Sequence, residues 1–184
     1  MSLRHVGILV FDEVEVLDFA GPFEVFAVTG ELHGGAHFST ALVSREERVH
    51  VAVNGLRVLA NDTFATGRRY DVLVVPGGVG TRALLHDPVT MAWVRDQAGT
   101  ADVVMSVCSG ARVLAAAGLL RGRRVTTHHE VLDDVAALEP NAVLAPDARF
   151  VDEGPVVTCG GISAGSGLEL VAGHDAAGGE NECE

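Results

Sequence analysis

VVMSVCSGARVLAAAGLL, residues 103–120, passes from a strand-like run to a helix-like run at a single cysteine, Cys108. Val103, Val104, Met105 and Val107 have the continuous apolar character of a buried strand. Ser109-Gly110 then opens an Ala/Leu-rich stretch with apolar residues at Val113, Leu114 and Ala117. Such a corner sets the thiol above the carboxyl end of a sheet strand, beside the free amides of a helix N-terminus. Partial positive charge from those amides favours thiolate over thiol. Read from these residues alone, Cys108 stands equally well as a small buried apolar side chain.

Working outward, the same alternation recurs. Strand-like runs at His5–Phe11, Phe38–Val43, Val49–Val53, Val72–Val75 and Val103–Val107 are interleaved with helical patterns at Leu17–Val28 and Pro88–Ala98. Asn54-Gly55 is a hairpin signal that pairs Val49–Val53 with Leu56–Ala60. Beyond the Cys108 helix, Arg124–Thr127 reads as a strand and Val131–Leu138 as a helix. Ala148–Val151 and Val156–Thr158 flank a turn, and Gly160–Val171 reads as a Gly-rich turn into a last helix. This order predicts an α/β fold with a mostly parallel central sheet and helices on both faces. Residues 1–172 form one domain in this reading, and residues 173–184 have the composition of a disordered acidic tail.

The 184 residues suffice for one sizeable core, and no apolar run reaches the roughly 18 residues of a membrane span. The N-terminal MSLRHVGILVF carries no signal-peptide pattern. Three cysteines without close spacing point to free thiols in a reducing, cytoplasmic setting. All 13 basic residues are Arg and the net charge is −12, with Arg121-Gly122-Arg123-Arg124 the one basic cluster. A nucleic-acid-binding footprint is therefore not expected. Neither H-E-x-x-H nor C-x-x-C occurs, which argues against a metal site.

Ligands of open α/β sheets bind beyond the carboxyl ends of the strands, and three such ends carry suggestive chemistry. Ser106 and Gly110 flank Cys108 at the positions that the G-x-S-x-G nucleophile elbow fills with glycine, although Ser106 replaces the first of them. Gly77-Gly78, after Val74-Val75-Pro76, offers backbone N–H groups which, with that of Ser109, suit an oxyanion; the plain alternative is an ordinary Gly-Gly turn. Asp18 lies among Leu17, Phe19 and Ala20, so desolvation should raise its pKa and fit it for proton transfer, unless it is a helix N-cap. His128 is an accessory base candidate; neighbouring His129 points elsewhere, so the two make a poor metal pair. Cys159 also ends a strand, without a helix directly after it, and reads as packing near the pocket; Cys183 lies in the tail.

Together, FDEVEVLDFAGPFEVF (11–26), VVPGG (74–78), SVCSGARVLAAAGLLRGRRVTTHHE (106–130) and GGISAG (160–165) resemble the ThiJ/PfpI superfamily, with its class I glutamine-amidotransferase-like, flavodoxin-like three-layer fold. The chain looks most like the branch of isonitrile hydratases and the sensor domains of AraC-type regulators. That resemblance implies Cys108 as nucleophile, Asp18 as its acidic partner, and Gly77, Gly78 and Ser109 as backbone contributors. It also implies no cofactor, and a homodimer. His128 matches the histidine of the family's TTH segment. Hydratases of this branch commonly place Thr after the cysteine, and Ser109 keeps that hydroxyl. PfpI-type peptidases place His there, so the peptidase reading weakens. Relatives usually continue past GISAG with further helix, whereas here an acidic Gly-rich stretch follows, and no helix-turn-helix pattern accompanies it.

Two functions follow as expectations. One is an isonitrile hydratase-like enzyme forming a Cys108 thioimidate and releasing an N-substituted formamide. The other is a non-catalytic sensor of a small molecule or of Cys108 oxidation. Glyoxalase or deglycase chemistry and amidase or peptidase activity rank below both.

Overall fold

The computed structural model describes residues 3–32, 34 and 37–161. In chain order it runs β1 (Arg4–Leu9), α1 (Val16–Leu32), β2 (Phe38–Ser44), β3 (Val49–Val51), β4 (Arg57–Leu59), β5 (Asp62–Thr63), β6 (Val72–Val75) and α2 (Thr81–Leu84). There follow α3 (Pro88–Ala98), β7 (Val103–Val107), α4 (Ala111–Ala116), β8 (Arg124–Val125), α5 (Leu132–Leu138), β9 (Val143–Leu144), β10 (Phe150–Asp152) and β11 (Val156–Cys159).

The central sheet has seven strands in the order β10-β11-β7-β6-β1-β2-β5. Its pairings are parallel except that of β10 with β11. Every residue of β6 is buried, as are Val6 and Ile8 of β1 and Val104, Met105 and Val107 of β7. A continuous apolar strand of this kind is what a parallel sheet covered by helices requires. The mostly parallel α/β sheet expected from the alternation, and the flavodoxin-like arrangement that the resemblance implies, are the ones found. From β1 the chain steps to β2 on one side and later to β6 on the other, so the strand order reverses between β1 and β6. The ends of β6 and β7 border this switch point, where open α/β sheets bind their ligands.

The β3–β4 hairpin pairs antiparallel, Val49 opposite Leu59. Its bend uses Asn54 at φ 64° and Gly55 at φ 86°, conformations that Asn and Gly enter most readily. Some boundaries differ from the sequence reading. Strand β1 ends at Leu9 rather than Phe11, because the chain there turns toward Glu13, itself at φ 60°. The strand expected over Arg124–Thr127 shrinks to β8, which pairs in parallel with β9 in a separate small sheet. Side chains anchor the next residues instead: the Thr126 amide donates to Thr158 Oγ1 at 2.9 Å, and Thr126 Oγ1 donates to the Ala148 carbonyl at 2.9 Å. The expected helix within 160–171, the 173–184 tail and Cys183 lie outside the described residues.

Candidate active site

Strand β7 delivers Cys108 to the carboxyl edge of the sheet, and a short 3-10 turn, Cys108–Gly110, leads into α4. Cys108 has φ 53°, a left-handed conformation that costs a non-glycine residue of order 1–3 kcal/mol. This is the sharp strand-to-helix bend of a nucleophile elbow. Two contacts hold it. Thr127 Oγ1 donates to the Cys108 carbonyl at 2.8 Å. Gly110 packs so closely that a Cβ there would stand 2.1 Å from the Val75 carbonyl oxygen. The glycine kept at this side of the elbow is a steric necessity.

Asp18 is the third residue of α1 and only 1% exposed. It does not cap its own helix. Its Oδ2 accepts from the backbone N–H of Gly77 at 3.2 Å, while Oδ1 is buried with no ordinary hydrogen-bond partner among the described residues. Burial, aided by the charge of Glu15, raises Asp18 from the usual 3.8 to about 6, against the opposing pull of the Gly77 amide and of Cys108. The direction of the shift agrees with the desolvation expected from its apolar neighbours Leu17, Phe19 and Ala20.

The thiol behaves differently from the sequence expectation. Burial first, and the negative charge of Asp18 second, push Cys108 up to about 12, and the Ser109 amide only partly opposes them. The helix offers little help: α4 is 6 residues long and is entered through a 3-10 turn. Burial and the Asp18 charge both favour the thiol over the amide-stabilised thiolate that the local pattern suggests.

Gly77, Gly78 and Ser109 do gather around Cys108, but the two glycine amides are already engaged. Gly77 N–H serves Asp18, and Gly78 N–H donates to Ser109 Oγ at 2.9 Å. Ser109 Oγ in turn donates to the Gly78 carbonyl at 3.2 Å. This reciprocal pair fastens the β6 loop to the elbow. Of the three amides read from the sequence, that of Ser109 is directed at the sulfur.

A pocket of about 280 Å³ opens over Cys108, walled by Glu15, Arg82, Ser109, Arg112, His128 and Glu130. His128 is half-buried, and its Nδ1 faces the Glu130 amide at 3.4 Å. The His129 ring lies against it, tilted by 38° with ring centroids 4.2 Å apart, so the two rings meet rather than pointing apart as expected from their adjacency. Gly161, at φ 122°, closes the same corner: a Cβ there would lie 3.2 Å from Cys108 Sγ and 3.5 Å from His128 Cδ2. The sequence reading assigned no role to Gly161, although the Gly-Gly after Cys159 was its signal. Nor did it single out Arg112, which is 4% exposed. Arg112 Nε donates to Asp134 Oδ2 at 2.7 Å and Nη1 reaches Thr81 Oγ1 at 3.3 Å, which donates to the Gly78 carbonyl at 2.8 Å. Cys159 is 2% exposed and does not line the pocket; burial pushes its thiol to about 12. Among the described residues no group of three or more His, Cys, Asp or Glu side chains is placed to hold a metal ion.

In the comparison with known proteins, residues 4–170 match the DJ-1/PfpI family. The chain belongs to the DJ-1/PfpI family. Among its DJ-1/PfpI relatives is an isonitrile hydratase from Pseudomonas putida, 35% identical over 181 residues that cover 97% of this chain and 74% of that protein. The transcriptional regulator GbdR of Pseudomonas aeruginosa is 26% identical over 86% of this chain, which spans 43% of that longer protein. A THiJ/PfpI family protein from Pseudomonas syringae superimposes with a TM-score of 0.82 at 31% identity, covering 93% of this chain and 68% of that one. Drosophila melanogaster DJ-1beta shares the fold, with a TM-score of 0.83 at 18% identity over 97% of this chain and 92% of that one.

Proposed function

We propose that this DJ-1/PfpI protein is a cysteine hydratase that adds water to a small isonitrile. The observation that carries the reading is the Cys108–Asp18 pair: a cysteine at the φ 53° elbow facing the pocket, beside a carboxylate only 1% exposed and held by the Gly77 amide, with burial favouring the protonated form of both. Such a pair moves one proton without help from solvent. Asp18 takes the thiol proton as sulfur attacks the terminal carbon of R–N≡C and returns it to that carbon, giving the thioimidate R–N=CH–S–Cys108. Water then adds across C=N to give R–NH–CH(OH)–S–Cys108. Collapse breaks the C–S bond, releases R–NH–CHO and restores the thiol, with the hydroxyl proton passing through Asp18. Atoms balance as isonitrile plus water to formamide.

The pocket suits a small molecule, and Ser109 after the nucleophile disfavours the peptidase arrangement. The isonitrile hydratase relative supports the same substrate class. Free thiols at Cys108 and Cys159 fit a cytoplasmic setting. A second reading, a non-catalytic sensor, draws support from the regulator that carries the same kind of domain.

Purified protein incubated with an aryl isonitrile should release the N-aryl formamide, and Cys108→Ser should not. Formamide production independent of Cys108 removes the hydratase reading. Saturable binding of the isonitrile without turnover turns it into the sensor reading.

A further inference from the structure

We propose that His128 donates a hydrogen bond from Nε2 to the nitrogen of the Cys108-bound substrate, as an electrophile and not as a base. The inference rests on the hydratase reading and assigns the group that meets the far end of the reacting C–N bond.

His128 is the side-chain cap of the 3-10 turn His129–Val131, which leads into α5. Its Nδ1 accepts the Glu130 backbone N–H at 3.4 Å. A ring nitrogen that accepts in this way carries no proton, so the imidazole proton belongs to Nε2. Among the described residues Nε2 has no hydrogen-bond partner, and the ring lines the Cys108 pocket. The Cδ2 side of the ring, which carries Nε2 and lies opposite Nδ1, is turned toward the sulfur. A Cβ on Gly161 would touch both Cys108 Sγ at 3.2 Å and His128 Cδ2 at 3.5 Å, so one carbon atom reaches both.

The other polar walls are committed or of the wrong kind. Ser109 Oγ is closed on Gly78, and Arg112 is held by Asp134 and Thr81. Glu15 and Glu130 only accept when ionised, and Arg82 is exposed to solvent.

In R–N≡C the nitrogen lone pair is spent in the triple bond, so the free substrate offers Nε2 no nitrogen acceptor. Sulfur attack and return of the proton to carbon give R–N=CH–S–Cys108, whose nitrogen has a lone pair. A hydrogen bond there draws electrons from the C=N carbon and prepares it for water. The water that adds supplies both the hydroxyl and the nitrogen proton, and the imidazole keeps its own, as a neutral histidine electrophile does. An interaction that forms only after the ground state raises kcat and leaves KM unchanged.

Turnover of phenyl isonitrile by two replacements separates donor from cap. His128→Asn keeps an oxygen acceptor for the Glu130 amide and lacks a donor at the Nε2 position. His128→Gln places an amide N–H there and gives up the cap. In His128→Asn kcat should fall at least about ten-fold with KM within about two-fold, and in His128→Gln kcat should stay within about three-fold of wild type. The Cys108 thioimidate should accumulate in His128→Asn as a mass gain of one isonitrile. Full activity in His128→Asn, loss in His128→Gln, or a change confined to KM overturns this role and leaves the hydratase reading in place. Absence of wild-type turnover removes that reading and this role with it. Long-range proton–nitrogen NMR of the resting protein is independent of turnover and decides the matter if His128→Gln does not fold. It should find the His128 ring proton on Nε2, and a proton on Nδ1 overturns the assignment.

Discussion

The backbone N–H of Gly77 donates to Oδ2 of Asp18 at 3.2 Å, tying the end of β6 to the first turn of α1 beside Cys108. The bond has two consequences. It anchors the carboxylate that faces the thiol, and it removes an amide that would otherwise be free to meet a developing oxyanion. Under the proposed hydratase chemistry, the site relies on proton placement more than on a preformed pair of glycine donors.

The Gly77 contact leaves no room for a side chain. A Cβ at Gly77 would stand 2.7 Å from both Asp18 Oδ2 and the Ser109 amide nitrogen. Gly77→Ala should therefore destabilise the fold by about 1–3 kcal/mol through overpacking and lower Cys108-dependent turnover. Urea unfolding with a parallel formamide assay checks both, and an unchanged midpoint with full activity would contradict the close approach.

Ser109 is expected to act through the two hydrogen bonds of its hydroxyl with Gly78, one accepted from the amide and one donated to the carbonyl. In Ser109→Ala the half-buried Gly78 amide loses its acceptor, at a cost of about 1 kcal/mol. Ser109→Thr keeps the hydroxyl and should fall between alanine and wild type. Thermal unfolding orders the three proteins, and alanine at or above wild type would show that the hydroxyl is dispensable.

Asp18 makes stability depend on pH with a definite sign. Folding raises its pKa from 3.8 to about 6, so between those values the folded chain holds a proton that the unfolded chain has released. Stability from this group is present at low pH and is lost as pH rises through about 6. Asp18→Asn removes that loss. Its advantage over wild type should grow from near zero at about pH 4 to a ceiling of roughly 3 kcal/mol above pH 6. Denaturant titrations across this range measure it, and a pH-independent difference would mean that the carboxyl is not desolvated.

The strained elbow predicts an order between two small replacements. Both Cys108→Gly and Cys108→Ala remove the thiol, but only glycine accepts φ 53° without a Cβ penalty. Glycine should be about 1 kcal/mol more stable than alanine here, or ~2–4 °C in Tm. Calorimetry in which alanine melts higher would place the residue outside the left-handed region.

Much of this arrangement was readable in the sequence because it lies in patterns that local chemistry enforces. The apolar runs of β6 and β7, the Asn54-Gly55 bend and the break at Cys108 need no tertiary information. The two-residue strands β5 and β9 and the four-residue α2 were missed because elements so short carry no period, and β8 was read two residues too long. At the site, the residue types at 18, 77, 78, 108 and 109 were legible, but which donor serves which acceptor was not. That depends on side-chain directions of Asp18 and Ser109 that only packing sets. The thiol's protonation went the other way for a related reason: the amides at the elbow were visible locally, whereas burial and the opposing charge of Asp18 come from residues distant in the chain.

The most direct test is the pH dependence of Cys108 alkylation by iodoacetamide, in wild type and in Asp18→Asn. With sulfur held at about 12 by burial and by Asp18, the wild-type rate should still be climbing at pH 10. Removing the Asp18 charge should move the profile down by at least about one pH unit. A wild-type plateau at or below the free-thiol value of about 8.5, or a profile that Asp18→Asn leaves in place, would contradict the shared-proton pair.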